Sequence, residues 1–502
     1  MKYSYTEVID IIQNTRRFGT LTGYDVSKRM LEQLGNPQSG IPFVHIAGTN
    51  GKGSTTAFLC KILEQTGKKV GMFTSPHLVT FEERIRINGI YISKEDVTRL
   101  GNLLLETKFD VSPTMFDYCL AMAVLYFKEQ QCDIMVMETG IGGRYDSTNA
   151  LGIPELAVIT KIGFDHTAIL GDTLEAIAAE KAGIIKKGCS VVVNQQQPQV
   201  REVLLENFKL VNDIAGEVKP IQTKQEWEEA PGTLEIPEHP ALFIVTREDL
   251  RIVDRIPMKM PVGYQIENAA TAMLAARVLL DKWNKSGLLD GIKQEKMKEM
   301  PDVESQSGED CNLQFIEALI HKGISETFWK GRMEIINEEP FFMIDGAHNS
   351  HGVWALAGSL QELYPGEKFH FIMGVMTDKD YEEMIDALLP LAVDFITVTP
   401  ESSRALQSKE LAECIQKKGV KARYAENMEA IIRPLLPRKD RMCEKIAVKP
   451  DIACIAEENV TVITKNTAET HIYLPHSDHK IIAFGSLYFI GAIESMLEEN
   501  SK

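Results

Sequence analysis

Residues 42–55, PFVHIAGTNGKGST, join an apolar strand, a glycine-rich loop and the start of a helix. Glycines let backbone N–H groups converge on phosphate oxygens, and the positive end of the helix dipole adds to the attraction. Lys52 would reach the outer phosphates, and Ser54 or Thr55 would hold Mg²⁺. Ile46 stands where the general phosphate loop has a glycine, so GTNGKGS is a shortened variant. This stretch predicts ATP binding at the end of a parallel strand.

Short apolar runs alternate with amphipathic stretches on both sides of this loop. The runs KKVGMFTS, CDIMVMET, ELAVITKIG and CSVVVNQQ are separated by helical patterns such as TLEAIAAEKAGIIKKG. This rhythm predicts a mostly parallel sheet flanked by helices. It restarts with FFMIDGAHN, KFHFIMGVM, DFITVTP and HKIIAFGS. We therefore predict an α/β protein of two domains, 1–328 and a smaller 329–502.

Three polar stretches interrupt the pattern. Residues 209–260 are predicted to form an elaborated edge of the first sheet. A charged, aromatic-poor segment predicts an exposed insertion at about 284–328, and a second insertion is predicted at about 437–475.

Composition and charge exclude several classes of protein. The net charge of −17 argues against a nucleic-acid surface, which needs a broad basic face, but not against small anionic substrates. No apolar run approaches the roughly 20 residues that span a bilayer, and the N-terminus does not resemble a secretory signal. The eight cysteines show no metal-binding spacing. We predict a cytoplasmic protein with small-molecule partners, without nucleic acid or membrane.

Ten ordered motifs extend the phosphate loop into a family pattern. They are LGNPQ, HIAGTNGKGST, FTSPHL, ERIRING, GIGGRYDSTN, GFDHTAILG, EKAGIIK, DGAHN, DKD and GSLYFIG. The chain thereby resembles the Mur ligase superfamily, and within it the folylpolyglutamate and dihydrofolate synthases. The resemblance implies a P-loop ATPase domain followed by a Rossmann-like ligase domain in a monomer. It also implies ATP-dependent joining of L-glutamate to a folate or dihydropteroate through an acyl phosphate.

Glu138 ends an apolar strand before a turn, where an acidic metal ligand at the carboxyl edge of a parallel sheet would lie. Family resemblance assigns Mg²⁺ binding to Ser75, Glu138 and His166. It also implies that Lys181 is N-carbamylated and holds a second Mg²⁺, while binding of a monovalent cation stays open. On their own, Glu138 could be a turn acid, His166 a helix cap and Lys181 a solvated helix lysine.

The resemblance also implies nucleotide and substrate contacts. Asn268 matches a residue that meets the adenine, Arg332 one near the phosphates, and Asp345 and His348 residues that contact nucleotide and glutamate. Lys330 stands where the family usually has proline. The predicted phosphate contacts are Thr49, Asn50, Gly51, Lys52, Gly53, Ser54 and Thr55, with Lys52, Lys181 and His348 in catalytic roles.

The folate side is predicted from two further motifs. Pro76 and Arg84 resemble the loop that accepts the pterin and orients the substrate carboxylate, and Asp146 matches an aspartate near the pterin. A structural role for each of these residues remains an alternative. The sequence does not decide between dihydropteroate and tetrahydrofolate, although we favour both activities.

Rival functions fit the residues less well. A peptidoglycan Mur ligase would need a UDP-binding domain of about 100 residues, whereas 47 residues precede Gly48. A regulator that uses the phosphate loop only as a switch would not need Lys52, Glu138, His166 and Lys181 together. A GTPase is disfavoured because no guanine-reading NKxD follows the loop.

Overall fold

The computed structural model describes residues 2–15, 24–214, 218, 220–221, 240–260, 262–292, 309–437, 461–462, 470–471 and 480–501. The chain forms two compact units, Met1–Trp329 and Lys330–Lys502. In the part of the chain described here, no helix is long and apolar enough to cross a membrane.

The first unit is a sheet covered by helices on both faces. Its strands are β1 Phe43–Ala47, β2 Val70–Phe73, β3 Ile85–Ile87, β4 Ile90–Tyr91, β5 Ile134–Glu138, β6 Leu156–Ile159, β7 Ser190–Val193 and β8 Leu242–Ile244. Its helices are α1 Tyr5–Asn14, α2 Asp25–Gln33, α3 Lys52–Glu64, α4 Lys94–Glu106, α5 Met115–Glu129, α6 Thr167–Leu170, α7 Leu174–Ala182, α8 Pro198–Val211, α9 Arg247–Asp254, α10 Gly263–Lys285 and α11 Glu309–Glu326. Two short 3₁₀ helices cover Phe81–Arg84 and Ser147–Leu151.

The eight strands run in the order β4-β3-β2-β5-β1-β6-β7-β8. The six strands from β2 to β8 in that order are parallel, as predicted. One edge carries an antiparallel hairpin of β3 and β4 that the sequence pattern does not predict, and its first strand and turn lie in the motif ERIRING. The carboxyl ends of the neighbouring strands β2, β5, β1 and β6 therefore meet along one edge of the sheet, where ligands bind in such folds.

The phosphate-loop helix α3 is buried between the sheet and two other helices. Nine of its residues are buried, and it packs against α10 and α11 in one apolar core. Phe315, Leu319, Ile320 and Ile324 of α11 are fully or almost fully buried in that core. Residues 309–326, which were predicted to belong to an exposed insertion, are therefore a core helix, because their apolar face completes the cover of α3. Residues 293–308 lie outside the described part.

The second unit is a smaller α/β sheet. Its strands are β9 Glu334–Glu338, β10 Phe341–Ile344, β11 Phe369–Met373, β12 Ala392–Thr397, β13 Ala422–Tyr424, β14 Thr461–Val462, β15 Thr470–His471 and β16 Lys480–Phe484. Its helices are α12 Ser350–Leu363, α13 Tyr381–Leu388, α14 Ser408–Lys417, α15 Met428–Ile432 and α16 Leu487–Ser501, with 3₁₀ turns at Leu389–Leu391 and Arg433–Leu435. Six strands run in the order β13-β12-β11-β16-β10-β9, and all but β9 are parallel.

The second predicted insertion lies mostly outside the described residues. Within it, β14 and β15 pair antiparallel with each other in a separate two-stranded sheet. The two-domain α/β architecture with mostly parallel sheets is thus confirmed.

Candidate active site

The phosphate loop follows β1 and is tied to the end of β6. The backbone N–H groups of Thr49 and Asn50 donate to the carbonyl oxygen of Lys161 at 2.9 and 3.3 Å. The hydroxyl of Thr160 donates to the carbonyl oxygen of Asn50 at 2.8 Å. Gly51 then enters α3 with φ +85°, a left-handed conformation that favours glycine. The loop is therefore fixed by hydrogen bonds within the protein itself.

Two glycines of the loop, Gly48 and Gly51, leave no room for a side chain, and a third, Gly53, leaves little. A Cβ at Gly48 would lie 1.8 Å from the hydroxyl oxygen of Thr160, and one at Gly51 would lie 2.1 Å from Oδ1 of Asn268. A Cβ at Gly53 would lie 3.3 Å from the indole nitrogen of Trp329. The predicted adenine-side residue Asn268, near the start of α10, is thus brought directly against the phosphate loop.

Lys52 and Lys181 both point at the same backbone oxygen. The Nζ atom of Lys52 donates to the carbonyl oxygen of Gly48 at 3.2 Å, and Nζ of Lys181 donates to it at 2.7 Å. Lys181 is only 4% exposed. Burial and the neighbouring positive charge of Lys52 lower the pKa of Lys181 to about 7, although Asp165 and Asp146 act in the opposite direction. The buried amine is therefore partly neutral at physiological pH, which an attack on CO₂ requires.

Two glycines place the end of α7 against the loop of the GIGGR motif. A Cβ at Gly183 would lie 2.4 Å from Cα of Arg144, and one at Gly143 would lie 2.8 Å from the carbonyl oxygen of Lys181. The backbone N–H of Arg144 donates to the carbonyl oxygen of Glu180 at 2.8 Å. The motifs GIGGRYDSTN and EKAGIIK thus form one packed contact, which positions Lys181.

Asp146 organises the same loop. Its Oδ2 accepts hydrogen bonds of 2.9 Å from the N–H groups of Gly140 and Ile141, and its Oδ1 accepts from the backbone and hydroxyl of Thr148. Burial raises the pKa of Asp146, although these hydrogen bonds act the other way. These hydrogen bonds of Asp146 all lie within the turn, and its contact with a pterin stays a prediction.

Glu138 and Ser75 lie together at the carboxyl edge of the sheet. The Oε2 atom of Glu138, at the end of β5, accepts a 3.1 Å hydrogen bond from the backbone N–H of Ser75. The buried hydroxyl oxygens of Thr139, which follows Glu138, and of Thr55, in the first turn of α3, have no hydrogen-bond partner among the described residues. A carboxylate and hydroxyls are the ligand types that Mg²⁺ prefers, so these residues fit such an ion.

His166 occupies the loop after β6 in an unusual conformation. Its φ is +51°, and its Nε2 atom lies 3.9 Å from Oδ2 of Asp165. Within the described residues, no group of three or more His, Cys, Asp or Glu could hold a metal ion. The predicted ligands include only two residues of those types, Glu138 and His166, so that result does not decide whether they bind Mg²⁺.

The loop between β2 and β3 is held by buried charges. The carboxylate of Glu83 accepts three backbone hydrogen bonds of 2.8 Å, from residues 78–80. Arg84, 6% exposed, donates through Nε to Nδ1 of His77 at 2.8 Å. Burial, followed by the charge of Arg84, lowers the pKa of His77 to about 4, so this histidine is neutral. Pro76 follows a cis peptide bond in the same loop.

In the second unit, Asp345 and His348 follow β10. Asp345 is 2% exposed and accepts hydrogen bonds from the N–H groups of Ala347 at 2.7 Å and Met333 at 2.8 Å. The Nδ1 atom of His348 lies 2.8 Å from the carbonyl oxygen of Gly346, so Nδ1 carries the proton in that bond. Three predicted residues of the second unit, Arg332, Asp345 and His348, are thereby gathered around one turn.

Arg332 is held close to the same turn. Its Nη1 atom donates to the carbonyl oxygen of Gly331 at 2.9 Å. A Cβ at Gly346 would lie 1.8 Å from this Nη1 atom, so the glycine makes space for the guanidinium.

Two positions near the loop were not predicted as site residues. The ring of Trp329 lies over the first turn of α3 at Gly53, and the guanidinium of Arg86 stacks on it, with Cζ 4.6 Å from the ring centroid. Thr160 fills the space left by Gly48. Thr160 is more than 100 positions from Gly48, and Trp329 is more than 240 positions from both Gly53 and Arg86. The only sequence signal for them was their place beside recognised motifs.

Comparison with known proteins gives family matches in both units. The model of the Mur ligase middle domain matches residues 46–276, and that of the Mur ligase glutamate ligase domain matches residues 331–441. The dihydrofolate synthase/folylpolyglutamate synthase of Bacillus subtilis (strain 168) is 34% identical over 81% of this chain and 88% of its own length. The folylpolyglutamate synthase of Lacticaseibacillus casei is 30% identical over 80% and 87%.

Solved structures share the fold. Escherichia coli FolC in complex with DHPP and ADP superposes with a TM-score of 0.68 at 21% identity, covering 100% of this chain and 99% of that one. A Mycobacterium tuberculosis folylpolyglutamate synthase complexed with ADP and AMPPCP has a TM-score of 0.67 at 22% identity, covering 98% of each chain.

Proposed function

The chain belongs to the folylpolyglutamate and dihydrofolate synthase family of Mur ligases, and we propose that the residues described above perform its ATP-dependent joining of glutamate to a folate. Such a ligase forms a C–N bond between an acid and an amino acid. The observation that carries the assignment of residues is the convergence of Lys52 and buried Lys181 on the carbonyl oxygen of Gly48.

Phosphoryl transfer begins at the phosphate loop. The N–H groups at the start of α3 and the Lys52 ammonium would bind the ATP phosphates, since both present positive charge at one place. The substrate carboxylate attacks the γ-phosphorus, the bond to the β-phosphate oxygen breaks, and ADP and an acyl phosphate result. The protein contributes mainly by positioning and by neutralising charge. Asn268, already against Gly51, would meet the adenine side of the nucleotide.

Amide formation is the second step. The glutamate amine attacks the acyl carbon, the C–N bond forms as the C–O bond to phosphate breaks, and the amine loses a proton. His348 would contact the incoming glutamate, and Arg332 and Asp345 the nucleotide.

Two Mg²⁺ ions are proposed at the carboxyl edge of the first sheet. Glu138, Ser75 and His166 would hold one, and carbamylated Lys181 the other. The ions would supply positive charge that neutralises the phosphate oxygens. The unpartnered hydroxyls of Thr55 and Thr139 support a polar ligand there.

The substrate side is assigned to the loop between β2 and β3. Arg84 is a buried cation whose partner His77 is neutral, so its positive charge is not cancelled by that hydrogen bond. We propose that it orients the substrate carboxylate beside Pro76, with Asp146 supporting the pterin side. We further propose that both dihydropteroate and tetrahydrofolate are accepted.

The test is phosphate release that depends on ATP, Mg²⁺ and glutamate, with dihydropteroate and tetrahydrofolate supplied separately and products identified by mass. Turnover of both substrates would support a bifunctional synthase. Turnover of tetrahydrofolate alone would leave a polyglutamylating enzyme and contradict the bifunctional proposal. No turnover with either would reject the ligase assignment in favour of a nucleotide-binding regulator.

The remaining assignments follow the family. We propose that residues 1–328 bind ATP, that residues 329–502 form the glutamate ligase domain, and that the enzyme acts as a monomer in the cytoplasm. Light scattering on the purified full chain tests the monomer, and a stable dimer mass would contradict it.

A further inference from the structure

Helix α16 carries a carboxyl group into the interior of the second unit. Glu494 is 1% exposed, and its Oε1 atom accepts no hydrogen bond from any described residue. Its Oε2 atom lies 3.6 Å from Nζ of Lys330, which is closer to Glu498, at 3.0 Å. A buried carboxylate with one oxygen lacking a donor is costly, and taking up a proton removes that cost.

A second carboxyl group lies beside the first. Glu334, at the start of β9, is within hydrogen-bonding reach of Glu494. Burial, followed by the charge of Glu334, raises the pKa of Glu494 to about 8, and Lys330 opposes this rise. Two adjacent carboxylates do not both ionise readily, so the pair holds one proton near neutral pH.

Glu334 is also the closing contact of the turn that carries Arg332. Its Oε2 atom accepts a 2.7 Å hydrogen bond from the backbone N–H of Gly331. The turn contains two left-handed residues, Gly331 with φ +66° and Met333 with φ +46°. A positive φ in a non-glycine residue is unfavourable, so the turn depends on the contacts that surround it.

The remaining contacts of the turn come from the loop after β10. The carbonyl oxygen of Gly331 accepts a 2.7 Å hydrogen bond from the N–H of Gly346, and Asp345 accepts from Met333 at 2.8 Å. The turn is thus held from one side by the residues after β10 and from the other by Glu334.

We propose that Glu494 is a positioning residue for ligation: as a carboxylic acid it donates a hydrogen bond to Glu334, which holds Gly331 and keeps the Arg332 guanidinium in its reactive position. The inference rests on the proposed role of Arg332 at the nucleotide. Loss of the shared proton leaves Glu494 and Glu334 both negatively charged. Their repulsion pushes the Glu334 carboxylate away from the N–H of Gly331.

The charged groups facing Glu494 set the direction of its titration. Glu334 from β9 favours the protonated acid, and Lys330 favours the carboxylate. Glu498, one turn further along α16, competes for Lys330. Removing the Lys330 charge therefore raises the pH at which the pair loses its proton.

The test measures kcat and KM for ligation against pH in the wild type, Glu494→Gln and Glu494→Leu. Glutamine is neutral at every pH and its amide donates to Glu334, so Glu494→Gln should retain kcat below pH 8. Above the pKa of about 8, wild-type kcat should fall relative to this variant by about tenfold per pH unit. Glu494→Leu cannot donate and should lower kcat throughout, and Lys330→Met should move the alkaline fall to higher pH.

An alkaline fall that is the same in Glu494→Gln and wild type would overturn the proposal, as would full activity of Glu494→Leu at every pH. Thermal melting identifies any variant that has lost its fold. The glutamine variant keeps a hydrogen-bond donor beside Glu334 and the single negative charge of the pair, so the test does not depend on the leucine variant being stable.

An infrared readout separates this inference from the proposed ligase function. The spectrum of the wild type minus that of Glu494→Gln should contain the carbonyl band of a protonated carboxyl group, which disappears with a midpoint near pH 8. Its presence in a protein without ligase activity would reject the function but keep the shared proton. Its absence would overturn the inference whatever the activity.

Discussion

Lys52 and Lys181 donate hydrogen bonds to one backbone oxygen, the carbonyl of Gly48, at 3.2 and 2.7 Å. Two ammonium groups this close repel each other, and this repulsion together with burial lowers the pKa of Lys181 to about 7. The lysine of the phosphate loop therefore helps to keep the lysine of α7 partly neutral. Carbamylation would replace the repulsion with an attraction between a cation and an anion.

Replacing Lys181 tests this relationship. Lys181→Ala should lower kcat for ligation by at least about 100-fold, because a charged group at the reacting phosphates is removed. A short-chain carboxylic acid added at millimolar levels should restore part of the activity by filling the cavity with an anionic oxygen. The matched control is Lys186→Ala, which removes another partly buried lysine with a lowered pKa. It should keep its activity. An equal increase of kcat in both variants when the acid is added would contradict the prediction.

The fit of Asn268 against Gly51 predicts a specific loss of nucleotide binding. Gly51→Ala places a Cβ 2.1 Å from Oδ1 of Asn268 in a backbone with φ +85°, so both the loop and the amide must move. The Kd for ATP, measured by calorimetry, should rise at least about tenfold, equivalent to about 1.4 kcal/mol.

The control for this substitution is Gly67→Ala. Gly67 has φ +81° but nothing within 4 Å of a Cβ. This variant should lose stability of about 1 kcal/mol from the left-handed conformation and bind ATP normally. Equal weakening of ATP binding in both variants would show that backbone strain, not the collision, is responsible.

Arg332 is predicted to act on the reaction more than on nucleotide binding. Arg332→Ala should lower kcat by about 100-fold and change the Kd for ATP by less than about fivefold, since a charge-stabilising group matters most when charge develops. Arg433→Ala, which removes an exposed arginine paired with Glu429 and Glu499, serves as control. Equal losses of ATP affinity and kcat in Arg332→Ala would argue for a binding role alone.

His45 predicts acid sensitivity of the first unit. It is fully buried in β1, with Nε2 2.8 Å from the hydroxyl of Thr148. Burial, followed by the charge of Lys186, lowers its pKa from 6.5 to about 3. Between these pH values the folded protein binds fewer protons than the unfolded chain, so stability is present above pH 6.5 and is lost as the pH falls toward 3. By pH 5 the loss should be about 2 kcal/mol.

Denaturant unfolding at pH 7 and pH 5 measures this loss. His45→Gln should reduce the difference between the two pH values by about 2 kcal/mol, whatever its effect at pH 7. His321→Gln, at an exposed position, should leave the difference unchanged. An unaltered difference in His45→Gln would assign the acid sensitivity to other groups.

The strands that carry the site followed from local patterns. PFVHIAG, CDIMVME and FFMIDGAHN each combine an apolar run with a turn, so the end of each strand and the loop after it were predictable from the residues. The hairpin of β3 and β4 was missed because ERIRING has too few residues for a periodic signal. Helix α11 was missed because its neighbouring segment is charged and its apolar residues gain meaning only when packed against α3.

By itself, the sequence determined the alternating strands and helices around the site, the phosphate loop and the family of the chain, because these depend on short stretches of residues. Only the tertiary structure placed Lys181 on the oxygen of Gly48, Asn268 against Gly51 and Glu494 beside Glu334. The two residues of each pair are more than 100 positions apart in the sequence. Burial also shifts the pKa of Lys181 and of Glu494, and so changes their charge. Proximity and desolvation are properties of the packed chain, and they decide which of the recognised residues can act together.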